Sequence, residues 1–163
     1  MNGRGVRPNP CPSCPYRVSV PSGVWAPEEY AKLLDYDKPI GEQSPRAFNC
    51  HQGDGRLCAG WVGFGDPREL LALRLGVAAG RIDPEVLDYR TEVPLFASGL
   101  DAAEWGMAYA DAPGQGAIDA IAKITRVRSR TDNPVIVRPS ESDDPPPETA
   151  RSSGSIGGRD EHT

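Results

Sequence analysis

Residues 9–17 read NPCPSCPYR: two cysteines two residues apart, each followed by proline, with an arginine three positions beyond the second. A Cys-x-x-Cys at this spacing can hold a metal, form a redox disulfide, or staple a secreted domain. All four cysteines of the chain, Cys11, Cys14, Cys50 and Cys58, fall in residues 11–58, and no cysteine follows. Whatever joins them organises the loop-rich front of the molecule.

The compartment narrows the choice. No apolar run of signal-peptide length occurs in the first twenty residues, where prolines recur. No window approaches the roughly 18–20 apolar residues that span a bilayer. The chain is therefore expected to be cytoplasmic and to have no membrane partner. Thiols stay reduced there, so paired cysteines read as metal ligands or redox groups rather than structural disulfides.

Tetrahedral thiolate sites hold zinc, and four thiolates also hold an iron–sulfur cluster. Zinc leads as the expected cofactor, with a four-iron, four-sulfur cluster as the alternative. Cys11 and Cys14 supply a knuckle stiffened by Pro12 and Pro15. Cys50 and Cys58 are separated by HQGDGRL, whose glycines let it fold back on itself. A dication with four thiolates is about −2 overall, and burying that charge needs compensation. Arg17 is the candidate partner, with Arg56 a second. His51 could replace a thiolate, hydrogen-bond one, activate Cys50 as a nucleophile, or be a polar loop residue. Trp25 and Trp61 bracket the segment and could cover the sulfurs, or be plain core aromatics.

The remainder reads as helical. APEEYAKLLDYD (26–37) opens with proline and two glutamates, and Tyr30, Leu33 and Leu34 share a face. Glu28 and Lys32 are spaced to pair. DPRELLALRLGVAAG (66–80) begins with Asp66 as N-cap, Pro67 and a capping-box Glu69, and ends at Gly80. IDPEVLDYR suggests a short helix from Asp83 to Tyr89, and Ser98 caps another to about Tyr109. A last helix starts near Gln115, stacking Ala117, Ile121 and Ile124 beside Ile118, with Asp119 and Lys123 paired. AFNC (47–50) could be extended, and VIV (135–137) a stray strand. The expected fold is mainly α: one small domain of four to five helices, a loop-rich N-terminal region holding a four-cysteine metal site, and a disordered acidic tail.

The expected division is a flexible lead at 1–9, a globular domain at 10–138 and the tail at 139–163. Within the domain, 10–65 is the metal-site region and 66–130 the helical region. The tail carries six acids and two arginines and one large aliphatic residue, Ile156, so it cannot bury enough apolar surface to offset ordering entropy. The other 138 residues hold 17 acids and 16 bases. A nearly neutral body argues against wholesale nucleic-acid coating. A local patch remains open: Lys123, Arg126, Arg128 and Arg130 end the last helix. Cations there favour the dipole, or they could meet phosphate.

The motifs CPSCPYR, FNCHQ and CAGW resemble the signature of an uncharacterised family of small actinobacterial and actinophage proteins. The resemblance covers residues 10–64 as motifs and weakens to about residue 125. It implies a metal centre, an intracellular and often phage-borne setting, and Cys11, Cys14, Arg17, Cys50, His51 and Cys58 as the family positions. It implies no activity. GVW at 23–25 invites comparison with the WhiB-like four-iron regulators. Those place the closely spaced pair among the middle cysteines and the Gly-Val-Trp turn after all of them, and both orders differ here.

A small, non-enzymatic, metal-binding protein is the leading expectation, with a structural zinc and a protein or nucleic-acid partner. A redox-responsive iron–sulfur sensor or electron carrier is the alternative, and a cysteine-dependent enzyme using Cys50 and His51 the third.

Overall fold

Gln43 shows how side chains shape this backbone. The run from Asp66 to Gly80, expected as one helix, is two. A 3-10 turn spans Pro67–Glu69, Leu70 is extended, and the α-helix begins at Leu71. At the break the buried amide of Gln43 donates to the carbonyls of Glu69 and Lys38, each at 3.0 Å, and accepts from the Leu71 N–H at 3.0 Å. The Glu69 carbonyl and Leu71 N–H, which a continuous helix would pair internally, are paired by this one side chain, which lowers the cost of the break.

In this computed structural model the described residues are 3–131 except Gly53. They lie in one compact unit, and the expected strand at 135–137 and acidic tail at 139–163 lie outside them. The α-helices are α1 (Pro27–Ala31), α2 (Ala59–Gly63), α3 (Leu71–Ala78), α4 (Gly99–Met107) and α5 (Gln115–Thr131). Short 3-10 segments at Lys32–Tyr36, Ile40–Glu42, Pro67–Glu69 and Pro84–Asp88 link them. The fold is mainly α, and among the described residues β-pairing is limited to isolated bridges. Among the same residues no helix is long and apolar enough to cross a membrane.

Helix ends follow their sequence signals. Asp66 and Asp83 accept from the N–H groups of Arg68 and Glu85, and Ser98 accepts from Asp101. Asp37 also caps α4 from a distance, accepting from Gly99 N–H at 2.7 Å and Leu100 N–H at 2.6 Å. Gly80, at φ +66°, closes α3: Arg81 N–H reaches the Gly76 carbonyl and Gly80 N–H that of Val77, both at 2.9 Å. This is a Schellman end, which favours glycine at the left-handed position.

Two side-chain pairings differ from expectation. Lys32 pairs with Glu29 at 2.7 Å instead of Glu28, because α1 tightens into a 3-10 turn at Lys32, and 3-10 geometry brings i and i+3 into line. Asp119 accepts from Gln115 at 2.8 Å, one turn back. Leu34 faces outward, and Tyr36 joins Tyr30 and Leu33 in the core.

The core gathers Tyr16, Tyr30, Leu33, Leu57, Trp61, Val62 and Leu73 with the four cysteines, all buried. A small second cluster joins Val20, Val24 and Ala117 of α5, flanked by Trp25 and Ile124. The front of the chain is tied into this body. Arg4 N–H bonds to the Arg81 carbonyl, and residues 5–7 run beside Leu57, which donates to the Gly5 carbonyl at 3.0 Å.

Candidate metal centre

Three backbone segments bring the sulfurs together. The first is the knuckle, in which Cys14 N–H bonds to the Cys11 carbonyl and Arg17 N–H to the Cys14 carbonyl, each at 3.0 Å. The second and third are two short extended pieces, 48–50 and 56–58. Cys50 N–H meets the Arg56 carbonyl, Cys58 N–H meets the Phe48 carbonyl, both at 2.9 Å, and Asn49 bridges Leu57. The HQGDGRL loop thus folds back into a hairpin-like turn and puts Cys50 and Cys58 at its two ends. Cys58 then leads directly into α2.

The sulfurs meet in two groups. Cys14 and Cys58 are 3.6 Å apart and wholly buried. Cys11, Cys50 and His51 offer ligand atoms all within 4.8 Å of one another, a group able to hold a metal ion. The Cys11–Cys14 turn joins the groups. No disulfide is formed among the four.

Gly60, in the CAGW turn, makes this approach possible. A Cβ there would lie 2.2 Å from the Cys14 Sγ and 3.1 Å from the Tyr16 Cβ. Only a residue without a side chain lets α2 lie this close to the knuckle.

Within each group the two thiols are shifted in opposite directions. The hydrogen bond from Cys11 brings Cys50 down to about 6, helped by Arg7, against the pull of burial. Cys11 is pushed well up by the same bond and by burial. Cys58 is lowered by its bond from Cys14, while Cys14 is raised by that bond and by burial. Thiolate is the form that ligates metal, and Cys50 and Cys58 are the sulfurs this arrangement shifts toward it.

Arg7 compensates this charge. Its Nη1 reaches the Cys50 Sγ at 3.6 Å and Asp54 at 3.2 Å. Sequence reasoning missed Arg7, since it lies in the stretch read as a flexible lead; only the pairing of residues 5–7 with Leu57 carries it to the site. Arg17 sits elsewhere. It donates to the Pro10 carbonyl at 3.3 Å and to Ser19 at 2.9 Å, bracing the knuckle from outside. Arg56 lies 4.0 Å from Asp54.

His51 Nε2 is 2.7 Å from the Ser13 hydroxyl, 3.4 Å from the Cys11 Sγ and 3.2 Å from the Gln52 amide nitrogen. Burial, with Arg128 and Arg7 nearby, lowers it to about 4, so it is neutral and able to accept a hydrogen bond or a metal. Trp25 lies over it, ring centres 4.5 Å apart, and donates its indole N–H to the Ser13 carbonyl at 2.8 Å. Trp61, by contrast, is wholly buried in the core against Tyr36.

The basic run at the end of α5 divides. At about 100° per residue, Lys123, Arg126 and Arg130 share one face of the helix and Arg128 lies nearly opposite. Lys123 and Arg126 border a cleft with Pro12 and Gln52, whereas the Arg128 guanidinium stands 5.6 Å from the Trp25 ring centre. The Arg130 side chain lies outside the described residues.

No curated protein and no solved structure matches the chain. A family model described as a family of unknown function, DUF6283, matches residues 6–128, which span the knuckle, both ends of the hairpin-like turn and nearly all of α5. The chain belongs to that family.

Proposed function

We propose that this is a small, non-enzymatic protein in which Cys11, Cys14, Cys50 and Cys58 hold a structural zinc ion, so that the folded body can serve a protein or nucleic-acid partner. The carrying observation is the 3.6 Å between the Cys14 and Cys58 sulfurs. Zinc–sulfur bonds of ~2.3 Å in a tetrahedron put neighbouring sulfurs ~3.8 Å apart. Thiolates on a four-iron cluster each bind a different iron and stand further apart than that. His51, bonded to Ser13 and beside Cys11, supports the site and is the alternative donor if one sulfur does not reach the ion.

The metal's contribution would be large. Structural zinc in small modules binds with an apparent ~10–16 kcal/mol, comparable to the stability of a whole domain. The partner surface in this proposal is the α5 face carrying Lys123, Arg126 and Arg130, and the setting is the cytoplasm.

A second reading rests on the pairing of the sulfurs. Cys14 with Cys58, and Cys11 with Cys50 or His51, would suit two bridged irons, one pair on each, in a redox-responsive protein. Elemental analysis and an ultraviolet–visible spectrum of anaerobically purified protein separate the two. One zinc per chain and no visible absorbance is expected. Stoichiometric iron with charge-transfer bands that bleach in air would replace zinc with the cluster, and neither metal would end both readings.

A further inference from the structure

The cleft that Lys123 and Arg126 border has a volume of about 630 Å³ and lies between α5 and two of the cysteine-bearing segments. One wall is the knuckle, through Pro12, and another is the turn between Cys50 and Cys58, through Gln52. Ala120 and Ile124, both half-buried on α5, add aliphatic surface to that of Pro12. Cys11 of the knuckle and Cys50 at the start of the turn lie in one ligand group, so whatever holds that group together also fixes two walls of the cleft. Its size is that of a site for a small ligand or a short stretch of a larger one.

The lining selects the chemistry of the occupant. Lys123 and Arg126 are exposed, and among the described residues their side chains have no hydrogen bond or ion pair. One carboxylate lines the cleft with them, that of Asp119, and it already accepts from Gln115 at 2.8 Å. The Gln52 amide nitrogen lies 3.2 Å from His51 Nε2, which leaves the amide oxygen to accept from a ligand N–H. Among the described residues no aromatic ring lines the cleft, so a nucleic-acid base finds nothing to stack on, and Asp119 repels a phosphate backbone. A peptide with an aliphatic side chain between acidic ones matches each part: apolar surface for the side chain, two cations for the carboxylates and an acceptor for a main-chain N–H. We infer that this cleft docks an acidic peptide segment of a partner protein, an aliphatic side chain against Pro12 and Ile124 and its carboxylates on Lys123 and Arg126. The inference rests on the partner surface proposed above and narrows that partner to a protein.

The full chain as purified, labelled for amide resonances and with metal content measured on the same sample, is the material for the test. It is titrated with the end-blocked peptide EDLDE, with its uncharged counterpart QNLNQ, with EDSDE, and with a short thymidine oligonucleotide. EDLDE is expected to move the amide signals of Ser13, Gln52, Ala120 and Ile124, which line the cleft. It should bind at least about threefold more tightly than QNLNQ, as two exposed ion pairs allow, and more tightly than EDSDE, which lacks the aliphatic side chain. K123Q/R126Q should remove the preference for the charged peptide, and D119N should strengthen the binding of EDLDE. The three positions are exposed, and the dispersion of the unliganded spectra shows that the variants fold. Unmoved signals at millimolar EDLDE, movement confined to other parts of the molecule, equal binding of EDLDE and QNLNQ, or a preference unchanged in K123Q/R126Q would overturn the assignment. Equal binding of EDSDE would overturn the aliphatic contact. Oligonucleotide binding at the same signals, tighter than that of EDLDE, would give the cleft to nucleic acid and overturn the peptide. A metal content that disagrees with zinc leaves each of these outcomes readable.

Discussion

Replacing Gly60 with alanine tests the metal centre at its tightest point. The added Cβ would lie 2.2 Å from the Cys14 Sγ and 3.1 Å from the Tyr16 Cβ. Non-bonded heavy atoms settle at ~3.5–4.0 Å, so about 1.5 Å must open between α2 and the knuckle. Cys14 and Tyr16 are both wholly buried, so neither can swing out into solvent. Metal–ligand distances tolerate only ~0.2 Å, so a shift of that size removes Cys14 from the ligand set or drags α2 off the core. Overpacking alone costs ~1–3 kcal/mol. Helix propensity acts the other way, favouring alanine over glycine by ~1 kcal/mol, so a loss of stability cannot come from the helix itself. The assay is competition for zinc against a chromophoric chelator, with a thermal melt on the same samples. G60A should bind zinc at least tenfold more weakly and melt lower. Gly65→Ala, with no atom within 4 Å of the new Cβ, should match the unsubstituted protein. If G60A binds zinc with full stoichiometry and unchanged affinity, Cys14 is not a ligand and the four-sulfur site is refuted.

Other consequences follow from the same structure. Gln43→Leu strips three backbone groups of their partner and should cost about 3 kcal/mol in urea unfolding; a loss below about 1 kcal/mol would mean that the break before α3 is held by something else. Asp37→Ala removes the cap on Gly99 and Leu100 and should cost about 1–2 kcal/mol, read as a lower melting temperature. Stability should fall on acidification. His51 is lowered from 6.5 to about 4 and Cys50 from 9.0 to about 6, so the unfolded chain binds more protons through both windows. The His51 contribution is complete above 6.5 and lost as pH falls through 4; that of Cys50 is complete above 9.0 and lost through 6. Metal binding, which also releases protons, has the same sign. Unfolding midpoints equal at about pH 5 and about pH 7.5 would contradict this. Once the metal is removed by chelation at neutral pH, Cys50 should be alkylated faster than Cys11, its partner in the shared-proton pair, as peptide mapping after brief iodoacetamide treatment would show.

Much of the local structure was legible because its causes are local. Asp-Pro at 66–67 and 83–84, Ser98 and Gly80 each mark a helix end through a side chain or dihedral within a few residues, and each sits at such an end here. The Cys-x-x-Cys spacing likewise specifies its own tight turn. The break at Leu70 was not legible, because the amide that stabilises it comes from Gln43, far back in the chain. Nor was Arg7, whose neighbours in sequence say nothing about the loop it reaches.

Sequence alone determined a mainly helical body and picked out four cysteines, with His51 next to one of them, as candidates for a metal centre. It did so because helix signals and thiol chemistry depend on residue type and short spacing. Tertiary structure decided that the sulfurs meet as two groups, that Gly60 rather than a larger residue borders Cys14, and that Arg7 rather than Arg17 faces a thiolate. It also set Pro12, Gln52 and Lys123 around one cleft. These contacts join segments far apart in the chain, and their geometry follows from how the helices and the hairpin-like turn pack, which no short window of sequence encodes.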